Sequence, residues 1–378
     1  LIRPSSCVMI TASAVSVRKI AAYRFLGREL QMVRVGIVGA LGYGGGQLVR
    51  ILSTHPGVKL TYLSSELEKP VKISDILPNL RGFLDVECKV YNAEEAIENC
   101  DVVFSAQHPG WAMKEASRFL EAGVRFIDLS ADFRLRDLRT FEAWYKMRHE
   151  SPHLIPQAVY GLPELYRAEL KTARLVANPG CFPTAAILAL APLLKEKIVD
   201  VSTIIIDAKT GVSGAGRMAL KLDFHFPEVN ESIKAYNVAI HRHTPEIEQE
   251  VSVISGQQVA VSFTPHLIPI TRGILTTVYA KLTEDTTSQK LTELFREYYS
   301  ADYFVYVLDP EIYPATKDVY GSNFCHIGLK VDERTGRVVV ISAIDNLIKG
   351  MSGEAIQNMN LMCGFDERAG LDSPGIEP

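Results

Sequence analysis

The sequence predicts an α/β protein in two parts: a parallel sheet covered by helices on both faces, then a β-richer half with helices on one face. Three observations carry that expectation. Between positions 33 and 129 short apolar runs alternate with stretches of helical apolar spacing, the signature of successive β-α-β units. From about Val201 the apolar runs dominate and helical spacing thins out, as in an antiparallel or mixed sheet. At 378 residues the chain is also longer than one hydrophobic core commonly organises.

Along the chain, Val33–Val38 reads as a buried strand that runs straight into Gly39-Ala40-Leu41-Gly42-Tyr43-Gly44-Gly45. Residues 47–53 have helical spacing and stop at His55-Pro56-Gly57, a turn signal. Strands are expected at 58–63, 101–106 and 124–129, with a helix at 111–122 closed by Gly123. A short strand then ends in Asn178-Pro179-Gly180, where the first part closes, and 185–190 is strongly helical. The second part supplies strands at 202–208, 259–264, 274–282 and 337–344, and the amphipathic stretch 353–362 should pack back on the first part. The expected organisation is a dinucleotide-binding domain over 32–177, a catalytic and dimerisation domain over 178–345, and a returning C-terminal segment over 346–378.

Residues 1–31 carry Arg3, Arg18, Lys19, Arg24 and Arg28 against the single acid Glu29. A basic, acid-poor start of this kind suits an organelle transit segment. The simpler expectation is that Met32, one residue before the first strand, is the start.

Composition narrows the function classes. An apolar fraction of 47% with 22% charged residues is that of an ordinary globular protein. A net charge of -4 leaves no basic excess to neutralise phosphates, so a general nucleic-acid partner is not expected. The longest apolar stretch, 185–194, is about half a bilayer span and contains Pro192, so no membrane crossing is expected. Six cysteines, at 7, 88, 100, 181, 325 and 363, form no CxxC pair, which suits reduced thiols in the cytoplasm. No HExxH motif occurs, and no metal site is expected.

Gly39, Gly42 and Gly45 form a GxxGxxG turn between strand and helix. Glycines there let the backbone approach a pyrophosphate held at a helix N-terminus, so a Rossmann-type dinucleotide site is expected, lined by Gly39, Gly42, Tyr43, Gly44 and Gly45. An NAD enzyme places an acid at the end of the next strand to grip the ribose. This chain has Ser64-Ser65 there, with Glu66 just beyond. Two hydroxyls suit a 2′-phosphate, and NADP is the expected cofactor.

Cys181 stands in Asn178-Pro179-Gly180-Cys181-Phe182-Pro183-Thr184, between a strand and a helix expected to begin near Pro183. A thiol at a helix N-terminus is expected to have its pKa lowered by the unpaired N–H groups, which makes Cys181 the candidate nucleophile. His241-Arg242-His243 offers imidazoles suited to proton transfer, and in an extended segment both rings would share one face, one to act and the other to bind substrate. Two further loops look prepared for an anion. The 210–217 loop offers backbone N–H groups, Ser213, Gly214 and Arg217, and the 130–134 loop ends in Arg134.

Taken in order, the GxxGxxG turn, DLSADFRL (128–135), YGLPEL (160–165), NPGCFPT (178–184), GVSGAGR (211–217), HRHTPEIEQ (241–249), FTPHLIPITRGI (263–274) and IDNLIKG (344–350) resemble the N-acetyl-gamma-glutamyl-phosphate reductases of arginine biosynthesis. The resemblance spans about residues 32–366. It implies a Rossmann domain joined to an α+β domain of the glyceraldehyde-phosphate-dehydrogenase type, assembled as a homodimer or homotetramer. It also implies a small acyl-phosphate substrate, Cys181 as thioester-forming nucleophile, His241 as acid/base, and Asn346 near the nicotinamide. The cofactor turn departs from the family's GATGYTG followed by Glu, with Leu41 and Gly44 in place of the two threonines and Gly46-Gln47 in place of the pair ending in that acid. Other readings are reduction of a carrier-linked aminoadipate phosphate, an aspartate-semialdehyde dehydrogenase, and a dinucleotide-binding sensor without chemistry.

Overall fold

A computed structural model describes residues 32–217 and 221–376; the 1–31 extension lies outside them. The first sheet has eight strands, β1 (Val33–Val38), β2 (Val58–Ser65), β3 (Val71–Lys72), β4 (Glu87–Val90), β5 (Val102–Ser105), β6 (Arg125–Asp128), β7 (Ala158–Tyr160) and β8 (Leu175–Ala177). They lie in the order β3-β4-β2-β1-β5-β6-β8-β7. Every pairing is parallel except β3 with β4. The central strands β1, β5 and β8 are almost wholly buried, as expected where helices cover both faces.

Helix α1 (Tyr43–Leu52) begins four residues before the sequence expectation, and Gly44, Gly45 and Gly46 lie inside it. Glycine is a poor helix former, but space decides here. A Cβ on Gly45 would stand 2.0 Å from the Gly39 carbonyl oxygen, and Gly39 itself has φ +92, a conformation that favours glycine. Helices α2 (Ala93–Asn99), α3 (Ala112–Glu121), α4 (Leu138–Tyr145) and α5 (Pro163–Leu170) also belong to this part. Strands β4 and β7 escape the sequence reading, being four and three residues long.

Helix α6 (Cys181–Lys195) starts at Cys181 itself, two residues before the expected start, and thirteen of its residues are buried. It forms the core of the second part with the sheet made of β9 (Val199–Thr210), β10 (Lys234–Ala235), β11 (Ser262–Leu267), β12 (Ile274–Leu282), β13 (Val305–Val307), β14 (Cys325–Asp332) and β15 (Arg337–Ile344). The order is β10-β11-β9-β12-β15-β14-β13, with β9/β11 and β13/β14 parallel and the other pairs antiparallel. β14 has no counterpart in the sequence reading because Gly328 and Lys330 interrupt its apolar run.

The expected extended segment at 241–243 is corrected. It is a turn that delivers the chain into α7 (Thr244–Ser255), with His243 as N-cap. Thr244-Pro245 in the first turn is a helix-start signal that outweighs local alternation. After α8 (Ser288–Tyr298), the chain passes through a π-helical turn, Ile348–Ser352, into α9 (Gly353–Cys363). Ile348, Ala355, Ile356 and Met359 pack with Val35, Ile37 and Leu48 of the first sheet's core. Residues Val33–Pro378 make one compact unit, the two parts each keeping a core of their own. Among the described residues no helix is long and apolar enough to cross a membrane.

Candidate active site

A cavity of about 600 Å³ opens where β1 and β8 end, and Gly39, Gly180, Cys181, Arg134, Ser213 and Asn346 are in its wall. The turn that bears Cys181 is held from several sides. The Asn178 N–H donates to the Asp128 carbonyl at 2.8 Å, and its side-chain amide donates to the Met351 carbonyl at 3.1 Å. Gly180 caps α6 in extended conformation, and its N–H donates to Glu246 Oε1 at 2.8 Å. The Tyr160 hydroxyl donates to the same oxygen at 2.9 Å. On the far side Gly350 lies against Cys181, since a Cβ there would stand 2.8 Å from Cys181 Cβ.

The expectation of a lowered thiol pKa is corrected. Burial pushes Cys181 up to about 11, against the opposing pull of Arg134 and the helix N–H groups. The helix N-terminus is present as expected, but a thiolate in this enclosed setting loses more hydration than the N–H groups return. His241 is driven down to about 4 by burial and by Arg242. His243 is driven well below its ordinary value by burial, with His241, Arg134 and Arg242 adding to the effect. At neutral pH thiol and imidazoles are therefore all uncharged.

His243 is in the cavity wall. Its Nε2 lies only 2.6 Å from where a Cβ on Gly180 would be. His241 packs edge-on against it, its ring centroid 4.8 Å from that of His243, 5.5 Å from Phe182 and 5.6 Å from Tyr236. His241 Nδ1 accepts the His243 backbone N–H at 3.1 Å, which assigns its proton to Nε2 when the ring is neutral. Arg134 donates from Nε to the Asn178 carbonyl at 2.7 Å and from Nη2 to the Leu129 carbonyl at 2.8 Å. Its Nη1 forms a buried ion pair with Glu246 at 3.4 Å, and Arg134 is in the cavity wall.

At the other end the wall holds Gly39, Gly42, Tyr43, Gly44, Ser65 and Glu66. Gly45 is buried against Gly39 and supports the turn without lining the cavity. The reading of Ser64 is corrected. Its side chain is fully buried, while Ser65 alone of the pair reaches the wall, because successive residues of a strand face opposite sides. The missing side chain at Gly44 has a local counterpart: Met351 Cε lies 2.4 Å from where its Cβ would be.

The glycine-rich loop after β9 is corrected in part. The N–H groups of Gly211, Val212, Ser213, Gly214 and Gly216 all donate within the protein, so this loop presents side chains to an anion. Ser213 and Arg217 are in the wall beside Gly214. The Ser213 hydroxyl accepts from Asn346 Nδ2 at 3.0 Å, and Arg217 Nη1 donates to the Leu41 carbonyl at 3.1 Å, linking the loop to the glycine turn. Asn346 Oδ1 in turn accepts the Gly273 N–H at 2.8 Å. Sequence reasoning missed Glu246, Tyr160, Lys349 and Gly350. Each lies in a quoted motif, but only proximity in space gives them work.

The description "Semialdehyde dehydrogenase, NAD binding domain" matches residues 34–173, and "Semialdehyde dehydrogenase, dimerisation domain" matches 181–346. The chain is 54% identical to the N-acetyl-gamma-glutamyl-phosphate reductase of Pelotomaculum thermopropionicum over 346 residues, 92% of this chain and 99% of the relative. It is 52% identical to the protein of the same name from Moorella thermoacetica, over 92% of this chain and 100% of that one. Among solved structures, aspartate semialdehyde dehydrogenase II of Vibrio cholerae superposes with TM-score 0.67 at 17% identity, covering 88% of this chain and 99% of its own. The Candida albicans aspartate semialdehyde dehydrogenase with NADP gives 0.62 at 18% identity, over 88% of this chain and 98% of its own. At such identities these two speak for the fold alone.

Proposed function

The chain belongs to the N-acetyl-gamma-glutamyl-phosphate reductase family, and from that membership we propose that it reduces N-acetyl-gamma-glutamyl phosphate to N-acetylglutamate 5-semialdehyde, releasing phosphate, in arginine biosynthesis. The observation that carries the proposal is the single cavity wall that joins Cys181, His243, Arg134, Ser213 and Arg217 to the glycine turn. The test is the reverse reaction with phosphate, oxidised dinucleotide and N-acetylglutamate semialdehyde. Oxidation only of a carrier-bound, longer aldehyde would transfer the assignment to aminoadipate chemistry.

The residues fit a nicotinamide dinucleotide: the turn at Gly39 to Gly45 excludes side chains where a pyrophosphate must come close to the backbone. When bound, it supplies a hydride. The protein's own steps are nucleophilic and acid–base. His243 accepts the Cys181 proton as sulfur attacks the acyl carbon; the C–O bond to phosphate breaks, leaving a thioester and free phosphate. Ser213 and Arg217 hold the phosphate as it leaves, and Arg134 faces the developing oxyanion. After hydride addition at the thioester carbon, the C–S bond breaks and the histidine proton returns to sulfur, releasing the aldehyde. This gives His243 the proton transfer and His241 a supporting role, the reverse of the expectation from sequence, because His243 is the imidazole in the cavity wall.

NADPH is the proposed cofactor. Ser65 offers a hydroxyl for the 2′-phosphate, and Glu66 in the same wall is the residue that would oppose it. The expected result is a higher kcat/KM with NADPH than with NADH, with Glu66→Gln raising the NADPH value further. A higher value with NADH would assign Glu66 to the ribose instead. The assembly is proposed to be a homodimer or homotetramer, consistent with the dimerisation-domain match.

The resting thiol also makes a prediction. With Cys181 near 11, only roughly one thiol in ten thousand is ionised at pH 7. Iodoacetamide should therefore alkylate Cys181 more slowly at pH 7 than it does a free thiol. The rate should rise about tenfold per pH unit up to pH 10, because only the thiolate reacts. A midpoint below pH 8.5 would mean that the helix N-terminus outweighs burial.

A further inference from the structure

The π-helical turn Ile348–Ser352 connects three functional parts. Gly350 within it crowds Cys181, Ser352 Oγ donates to the Gly44 carbonyl at 2.9 Å, and Asn346 just before it meets Ser213 at 3.0 Å. Hydrogen bonds from Gly350 N–H to Asp345 and from Ser352 N–H to Leu347 give the wider i→i+5 winding, which is rare and less favourable than an α-turn. Such a turn needs support from outside itself.

Lys349 supplies it. Its side chain is fully buried, and its ammonium donates to Glu164 Oε1 at 2.7 Å, Gln357 Oε1 at 3.0 Å and Glu354 Oε1 at 3.3 Å. Three donors meet three acceptors from α5 and α9, so the direction of every N–H is used. Glu354 also accepts from Thr184 Oγ1 at 3.4 Å, one turn along α6 from Cys181, so the cluster touches the nucleophile helix as well as the turn above it. Burying one ammonium with the Glu164 carboxylate and with Glu354, whose carboxyl is pushed up to about 8 by burial, gives no clear advantage in stability over an apolar filling of the same shape. What the apolar filling could not provide is a fixed geometry.

We propose that Lys349 is a positioning residue: its three-way clamp on Glu164, Glu354 and Gln357 holds the π-turn so that Gly350 closes over Cys181 and Asn346 stays on Ser213. The proposal rests on the reductase reading above, and the wild-type turnover assay tests that reading separately. Lys349 itself does not line the cavity, so its loss should affect catalysis and not substrate affinity.

The experiment compares Lys349→Met with Lys349→Met/Glu164→Gln by kcat, KM and Tm. Removing the cation alone leaves the buried Glu164 carboxylate uncompensated and should lower Tm; neutralising Glu164 as well should recover most of that loss. kcat should stay on the order of 10²-fold down in both, the scale expected of a small misplacement of reacting groups, while KM for acyl phosphate and dinucleotide changes less than about threefold. A double variant with wild-type kcat would overturn the proposal and reduce Lys349 to a stabilising group, as would a loss that lies in KM. Should neither fold, Glu164→Ala, which removes the shortest of the three bonds, carries the same kcat-against-KM comparison with the same two outcomes.

Discussion

Cys181→Ala is expected to lower turnover by roughly 10⁴-fold or more, the scale seen when a covalent nucleophile is removed, while dinucleotide binding is kept. Among the described cysteines, Cys88, Cys100 and Cys325 are buried, and Cys363 lies at the end of α9, outside the cavity wall. Cys181 alone is in that wall and begins a helix there. Wild-type protein mixed with acyl phosphate and no dinucleotide should gain the acyl mass on the peptide that contains Cys181, and the alanine variant should not. Residual activity within tenfold of wild type would remove the thioester from the mechanism.

His243→Asn should cost about 10²- to 10⁴-fold in kcat, the range of a positioned acid/base, with KM little changed. His241→Asn should cost less, since that ring packs edge-on against His243 and does not line the cavity. The pH profile carries a second signature. Burial holds both imidazoles below the ordinary histidine range, His241 at about 4. A lowered pKa keeps the ring unprotonated, and able to accept a proton, down to that lower pH. The acid limb of kcat/KM should therefore lie below the ordinary histidine midpoint of about 6.5. A larger loss in His241→Asn than in His243→Asn would return proton transfer to His241.

Much of the architecture was legible along the chain. β1, β12 and β15 have the expected bounds because each is an uninterrupted apolar or alternating run. The glycine turn could be read because a strand that ends in glycines before a helix has few other uses. The candidate nucleophile was legible for a similar reason: Pro-Gly before Cys181 and Pro183 after it mark a bend and a helix start. Local chemistry thus determined the α/β class and marked the candidate dinucleotide turn, the candidate thiol and the candidate anion-binding side chains.

The tertiary structure decided whatever depends on enclosure or on distant segments meeting. Whether Cys181 is acidic depends on a balance between N–H groups that the sequence displays and a desolvation that only the packed cavity creates, and the second prevails. Ser64 and Ser65 are equivalent as text, but the pleat buries one and exposes the other. His241 and His243 share a motif, yet a turn forced by Thr244-Pro245 puts one ring in the wall and the other edge-on against it. Glu246, 66 residues from Gly180, and Lys349, 185 residues from Glu164, look like ordinary surface charges in sequence. They become parts of the site because a buried charge must find its partners, and those partners are chosen by how the sheets and helices pack.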